Sequence, residues 1–283
     1  MDWSIFQFLL PAITATLIIA GIHAYLGLHV VERGVIFVDL SLAQIASLGA
    51  AIGVWQGFEP NEPAIYWLSL AFTLIGALIF AVVKDRDANI PQEAIIGITY
   101  AVASAAVILA MSQAAGEAEH LRDMLVGSIL SVQWPEVWIT AAIYLVIGVF
   151  HWVFRQRFLE ISLSPDAVAA RGISVRFWDF LFYASFGFVV TRSVAIAGVL
   201  LVFCYLIVPS VGAILYARTI GARLTLGWAM GIIVSILGMY FSVLFDLPTG
   251  ATIVCTFGLV LAVMAAVRPL VRRRGRAGPP LRA

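Results

Sequence analysis

Long apolar runs separated by short polar segments make up nearly the whole chain. A helix needs about 20 apolar residues, within a range of roughly 17–25, to cross the hydrocarbon core of a bilayer. The pattern predicts an all-α, polytopic membrane protein with about nine transmembrane helices, or eight if the sixth and seventh runs merge at Thr191–Ser193. The runs cover about residues 5–27, 35–56, 64–83, 93–113, 136–154, 177–191, 194–216, 225–245 and 251–268.

Composition excludes several classes of protein. Of 283 residues, 62% are hydrophobic and only 12% are charged, whereas a soluble domain has about 45–50% apolar and 25% charged residues. A soluble enzyme, a nucleic-acid binder and a disordered protein are therefore excluded. Cys204 and Cys255 lie in apolar runs, so no disulfide framework is expected. Lys84, the only lysine, follows no glycine-rich loop, so any ATP must be held by a separate subunit.

Basic residues are distributed unequally between the two sets of loops. Because lysine and arginine concentrate on the cytoplasmic side of membrane proteins, the N-terminus is predicted outside and the C-terminus inside. Residues 1–268 are predicted to form one transmembrane domain and 269–283 a basic cytoplasmic tail. The 17 lysines and arginines, apart from Arg122 and Arg192, fall in segments 28–34, 84–92, 155–176, 217–224 and the tail from 268.

One predicted cytoplasmic segment, 155–176, is too long to be only a turn. Ser164 is placed to cap a helix, Pro165 suits its first position and Gly172 suits its end. The predicted helix, Pro165–Arg171, lies between two spans and has no membrane to cross. Such an element is typical of a docking surface for a partner protein.

A few ionisable or strongly polar residues fall within the predicted spans, where they are costly and often functional. Asp39 either lines a pathway or reaches water at the end of its span, with Arg33 as an alternative, structural partner. Gln44 and Ser47 either contribute to that pathway or only join helices. Glu93 and Asp179 lie near enough to span ends to reach water.

The pattern contains no closed metal site. The four histidines, His23, His29, His120 and His151, show no HxxxH spacing, and the two cysteines form no CxxC pair. Glu117, Glu119 and His120 form an outer cluster that either binds a divalent cation weakly or is a solvated loop.

Five stretches between about residues 33 and 268 carry a more specific signal when they are taken together. They are GVIFVDLSLAQIASLGAAIG, QEAIIGITYAVASAAVILAMS, LVGSILSVQWPEV, AGVLLVFCYLIVPSVGAIL and DLPTGATIVCTFGLV. In this order they resemble the membrane-spanning subunit of ABC importers for zinc, manganese and iron.

The resemblance implies a homodimer of permeases in a bacterial cytoplasmic (inner) membrane, with cytoplasmic ATP-binding subunits and an extracytoplasmic solute-binding protein. It implies no catalytic residue and no permanently bound cofactor, a divalent metal ion as cargo, and ATP only on the partner subunit. It also implies that residues 164–172 form the coupling helix seated on the ATPase. The residues assigned to it are Ser164, Pro165, Asp166, Ala170, Arg171 and Gly172.

The second span departs from the family's motif. Counting back from Gly49, the family's histidine falls on Gln44, its aspartate on Leu40 and its glycine on Asp39. Asp39 and Gln44 are five residues, about 140°, apart on a helix, so they do not share a face. We expect a substrate pathway of Asp39, Gln44 and Ser47, with Asp39 as the metal ligand. Such oxygen ligands suit manganese or iron(II) better than zinc.

Two other functions stay open on the sequence alone. One is an ABC permease for a non-metal solute or a metal chelate, and the other is an ion-coupled secondary carrier. Neighbouring genes for an ATPase and a solute-binding protein would favour an ABC permease over the carrier, which needs neither.

Overall fold

The structure is a computed structural model of the chain, and it describes residues 3–59, 62–83, 91–112 and 129–276. Its regular structure in these ranges is helical, and a short 3-10 turn at Ile129–Ser131 precedes the fifth helix. The helices are α1 (Trp3–Arg33), α2 (Val38–Trp55), α3 (Pro63–Val83), α4 (Gln92–Met111), α5 (Trp134–Val153), α6 (Arg155–Leu163), α7 (Pro165–Ala170), α8 (Val175–Ala197), α9 (Val199–Tyr216), α10 (Ile220–Phe245) and α11 (Thr249–Arg276).

Within the described ranges, nine helices are long and apolar enough to cross a membrane, namely α1–α5 and α8–α11. This confirms the prediction of an all-α, polytopic membrane protein. Helices α6 and α7 are too short to span, and they connect α5 to α8 at one end of the bundle. We call this end, which also holds Arg33 and Arg223, the basic end.

The spans pack as two groups of helices. In the first group, α2 lies against α3 and α4, and α3 packs along α8. In the second group, α1 packs on α9 and α10, and α11 covers α9 and α10. The two groups meet where α2 and α8 contact α9, and α5 lies beside α1 and α8. Helix α2 is therefore enclosed by other spans, and this position determines where its polar residues lie.

Glycines allow the closest approaches between spans. A Cβ added at Gly27 of α1 would lie 2.0 Å from the carbonyl oxygen of Leu206 in α9. One added at Gly49 of α2 would lie 2.7 Å from the carbonyl oxygen of Leu68 in α3. Small residues at such points let helix backbones pack directly, which is how spans associate in a lipid solvent.

The predicted boundary at Thr191–Ser193 is wrong by several residues. Helix α8 continues through these residues to Ala197, and the chain breaks at Gly198, whose φ is 76°. The three polar side chains all have partners on neighbouring helices. Thr191 and Ser193 hydrogen-bond to the hydroxyls of Thr73 and Tyr144, and Arg192 donates to Thr140 and the carbonyl of Glu136.

The ends of two other helices also differ from the sequence-based expectation. Helix α1 extends to Arg33, so His29 lies in a helix and not in a loop. Helix α11 continues through Pro269 to Arg276, so the first part of the predicted tail is helical. The remainder of that tail, 277–283, lies outside the described residues.

Candidate functional site

The polar residues of α2 are buried among other spans. Asp39 is 1% exposed, Ser47 is 5% exposed and Gln44 is 8% exposed. Phe37, just before the helix, stacks on Phe203 of α9 with ring centroids 6.4 Å apart. Because Asp39 is 1% exposed, it does not reach water at the end of its span.

Asp39 does not pair with Arg33, which was its alternative structural partner. Arg33 instead bonds to Asp179 of α8, with Nη1 2.5 Å from Oδ1. No described residue donates a hydrogen bond to Oδ1 of Asp39. A carboxylate held in this way needs a cation, a proton or water.

A second carboxylate lies at the start of α2, and the sequence placed it only near the end of a span. Glu93, in the first turn of α4, accepts a hydrogen bond at Oε1 from the backbone N–H of Phe37, 3.0 Å away. It thereby satisfies a free donor at the N-terminus of α2, where a negative charge is favourable. Its other oxygen, Oε2, is buried and has no partner among the described residues. Asp39 and Glu93 thus each bring a buried oxygen, without a partner among the described residues, to the start of α2.

The described residues do not form a complete metal site. No group of three His, Cys, Asp or Glu side chains lies close enough to hold an ion in the described ranges. Asp39 and Gln44 lie on different sides of α2, as their spacing predicts, whereas Gln44 and Ser47 are only about 60° apart. The Glu117, Glu119 and His120 cluster lies outside the described residues. Helix α2 therefore carries a short series of oxygen groups that can contact a metal ion, and these groups do not enclose it.

A buried polar network centred on Arg33 joins α1, α6 and α8 at the basic end. Both members of the Arg33–Asp179 pair are shielded from solvent, with side chains 2% and 0% exposed. Arg33 Nε donates to Ser162 Oγ at 2.9 Å, and its guanidinium carbon lies 4.0 Å from the centre of the Phe182 ring. The expectation that Asp179 reaches water was wrong, because α1 covers it.

The same network includes His29. Ser162 donates its hydroxyl proton to the carbonyl of Phe158, so His29 must donate from Nδ1 to Ser162 Oγ, 2.9 Å away. A single serine of α6 is thus held by two side chains of α1. Since α6 leads directly into α7, this contact fixes the position of the predicted docking helix relative to the spans.

Two further histidines lie in the spans. His151 Nε2 is 2.8 Å from Ser185 Oγ, and the ring stacks on Phe158 with centroids 4.4 Å apart. His23 uses Nδ1 to bond the carbonyl of Ile19 in its own helix. These contacts are consistent with structural roles.

The predicted coupling segment contains the short helix α7, Pro165–Ala170, which begins at the predicted proline. Gly172 has a φ of 75° and follows the end of the helix, as expected for a glycine stop. Ser164 makes no capping hydrogen bond to a described residue, so that detail was wrong. Ser164 ends α6 as well as preceding α7, and its backbone (φ −151°, ψ 65°) is set by this double position. The exposed residues of the segment include Ser164, Asp166, Ala170, Arg171 and Gly172, and Val168 is buried.

The chain shares sequence and fold with known membrane proteins. The family model described as the ABC 3 transport family matches residues 5–268. The manganese import system permease protein ScaB of Streptococcus gordonii is 25% identical over 267 residues, covering 94% of each chain. The high-affinity zinc uptake system membrane protein ZnuB of Haemophilus influenzae is 24% identical, covering 88% of this chain and 93% of its own. The fold is similar to that of a chain in the structure of PsaBC from Streptococcus pneumoniae in complex with Fab, with a TM-score of 0.76 and 23% identity. The match covers 91% of this chain and 90% of that one.

Proposed function

The chain belongs to the ABC 3 transport family, and on that premise we propose that it is the permease subunit of an importer for manganese in a bacterial inner membrane. The observation that carries this proposal is the family match over residues 5–268, which includes all nine candidate spans of the described ranges in whole or large part. The chain supplies the membrane passage, and a partner subunit binds and hydrolyses ATP. Two permeases form a homodimer, and a solute-binding protein delivers the ion from outside.

The choice of manganese rests on two arguments. ScaB, which matches 94% of this chain, is a manganese import permease by its name. The residues assigned to the pathway on α2, Asp39, Gln44 and Ser47, carry carboxylate, amide and hydroxyl groups and no imidazole or thiolate. Hard oxygen ligands suit Mn²⁺, whereas zinc favours nitrogen and sulfur. Zinc, the ion in the name of ZnuB, is the second candidate.

We assign the ion pathway to the buried start of α2. Asp39 would contact the passing ion through Oδ1, which has no partner among the described residues. Gln44 and Ser47 would continue the series of oxygen donors along the helix. Glu93 is the additional residue that the structure brings to this position, through its bond to Phe37. A transport site must release its ion, so a weak, incomplete ligand set fits this role better than a closed cage.

The proposal is tested by the metal content of cells. Deleting the gene should lower manganese accumulation severalfold in manganese-poor medium, and expressing the chain should restore it. Inactivating the partner ATPase should have the same effect as deleting the permease. Uptake that persists without a working ATPase would favour the secondary carrier, and normal manganese with loss of a chelated metal would favour the chelate permease.

Replacing Gln44 with histidine should shift the ion preference towards zinc, because an imidazole nitrogen suits zinc better than an amide oxygen does. The measurement is the ratio of zinc to manganese accumulated by cells that express the variant. Gln44→Asn, which keeps an amide, is the control and should leave the ratio near that of the original chain. An unchanged ratio in Gln44→His would show that position 44 does not face the ion.

Helix α7 is proposed to dock on the ATPase. Ala170 is exposed at its end, so Ala170→Arg should disrupt docking without disturbing the spans. A central interface residue is worth about 2 kcal/mol or more, so ATPase binding should fall by about thirtyfold. Pull-down of the ATPase measures this, and Gln156→Ala on α6 is the control. Normal ATPase binding and uptake in Ala170→Arg would place the docking surface elsewhere, for example at 217–224.

Cysteine labelling tests the predicted orientation. In a chain without Cys204 and Cys255, a cysteine at Asp246 should react with an impermeant maleimide in intact cells, and one at Arg171 should not. The reason is the concentration of basic residues at the end that holds Arg171. Labelling of position 171 from outside would reverse the orientation and with it the placement of the ATPase.

A further inference from the structure

A large cavity opens between α1, α5, α6 and α10, away from the polar residues of α2. Its volume is about 610 Å³, which is within the range of ligand sites in proteins, roughly 300–1,000 Å³. Asp39, Gln44 and Ser47 do not line it. We name it the lateral crevice, because its rim carries the exposed side chains of Leu145, Trp152 and Trp228.

The lateral crevice covers only the half of the bundle next to the basic end. Along α1 it extends from Ile18 to Glu32, and along α5 from Ala141 to Trp152. At 1.5 Å per residue the α1 wall is about 21 Å long, whereas one leaflet of a bilayer contributes about 15 Å of hydrocarbon. The α5 wall, about 17 Å long, is close to the depth of one leaflet, and neither wall reaches the roughly 30 Å of the whole hydrocarbon core. The crevice is therefore too short to be a passage through the membrane.

The walls of the crevice are mostly hydrocarbon. Gly21 and Gly148 both line it, and a Cβ added to either would meet no atom within 4 Å. Tyr25 and His151 have buried polar atoms without partners among the described residues, the Tyr25 hydroxyl and His151 Nδ1, but neither is accessible from the crevice. The interior therefore suits an aliphatic chain rather than a polar solute.

The end of the crevice at the membrane surface is charged, in contrast to its apolar walls. Arg155 donates to the carbonyl of Trp152 at 2.9 Å, and its guanidinium carbon lies 5.1 Å from the centre of that ring. Arg223, at the same end, forms an ion pair with Glu32. These three charged groups leave one net positive charge beside two tryptophans that lie at the rim. Trp152 lies at the level of Arg155, whereas Trp228 lies deeper, where its Nε1 donates to the carbonyl of Gly21. An arginine beside a tryptophan at the end of a span is typical of contacts with lipid headgroups.

We propose that the lateral crevice binds one phosphatidylglycerol-type anionic phospholipid, with an acyl chain between α1 and α5 and its phosphate on Arg155. The charge of one phosphate balances the net charge of the three groups at the mouth. A second copy of the chain fits less well. It would present the same basic end at the same membrane level, so its own Arg155 and Arg223 would be brought towards these arginines.

The experiment is native mass spectrometry of the full chain, purified in detergent and incubated with dioleoyl phosphatidylglycerol. We expect the original chain to retain one lipid per protomer. Gly148→Phe, which fills the crevice, should reduce retention by about tenfold or more, and Arg155→Gln by about fivefold. The controls are Gly258→Phe, at an open glycine on α11, and Arg157→Gln, two residues beyond Arg155 and outside the crevice.

Two results would overturn the proposal. One is equal lipid retention in Gly148→Phe and Gly258→Phe, together with no effect of Arg155→Gln. The other is efficient disulfide formation between protomers that carry Leu145→Cys in a chain without Cys204 and Cys255, which would show that a second copy occupies the crevice. Arg155→Gln alters an exposed side chain, so it tests the site even if the phenylalanine variant folds poorly.

Discussion

Replacing Asp39 with asparagine should reduce ion uptake by about tenfold to a hundredfold while the permease still folds and assembles. Removing an outer-shell group of a metal site costs about 10–100-fold in affinity or activity, and we expect at least this loss for a residue that contacts the ion directly. Asparagine keeps the shape of the side chain and removes its charge, so the buried Oδ1 position no longer attracts a cation. Uptake of radioactive manganese and the amount of assembled complex are the two measurements.

The control for this variant is Ser41→Ala on the same helix. Ser41 is buried and its hydroxyl has no partner among the described residues, as for Asp39 Oδ1, but it carries no charge. It should transport nearly as well as the original chain. An Asp39→Asn permease that transports normally would remove Asp39 from the pathway. One that fails to assemble would show a structural role, although the pairing of Arg33 with Asp179 means that Arg33 would not be its partner.

Replacing Asp179 with alanine should destabilise the permease by about 3–5 kcal/mol, because it leaves the Arg33 charge buried without its carboxylate. Both side chains of the pair are shielded, at 2% and 0% exposure. The measurement is the melting temperature of the purified chain. It is taken from the loss of the folded peak on gel filtration after heating to a series of temperatures. Arg33→Met combined with Asp179→Leu should recover most of the loss, since apolar groups of similar volume can replace a buried pair.

An exposed ion pair of the same chain provides the matched control. Glu160 and Arg171 lie 2.8 Å apart, but their side chains are 41% and 50% exposed. Glu160→Ala should therefore cost about 1 kcal/mol or less. If Asp179→Ala were as stable as Glu160→Ala, the Arg33 network would not be what holds α6 against α1 and α8.

The number of spans was predictable because each depends on a local property, the length of an apolar run. The boundary within α8 was missed because Thr191, Arg192 and Ser193 look like a turn when their partners are unknown. Their hydrogen bonds go to Thr73, Thr140 and Tyr144, on two other helices far away in the chain. Helix α6 was missed because it is short, and because its buried Phe158 and Ile161 occupy too few turns to give a clear period.

The site was only partly predictable for the same reason. The burial of Asp39 follows from α2 beginning beside α9, and the sequence alone does not indicate that register. The pairing of Arg33 with Asp179 joins residues 146 positions apart. Glu93 lies in the stretch QEAIIGITYAVASAAVILAMS, which resembles the family, but its bond to Phe37 depends on the packing of α4 on α2. Charges within spans point to function, whereas their partners are set by tertiary packing.

Transport of manganese through a pathway that includes Asp39, driven by a partner ATPase, is the proposal on which the other assignments depend. Its most direct test is uptake of radioactive manganese into proteoliposomes that contain the permease, its ATPase and its solute-binding protein. We expect ATP-dependent accumulation in the original complex and about tenfold less, or lower, in the Asp39→Asn complex. Accumulation that does not require ATP, or no manganese uptake by a complex that hydrolyses ATP normally, would contradict the account.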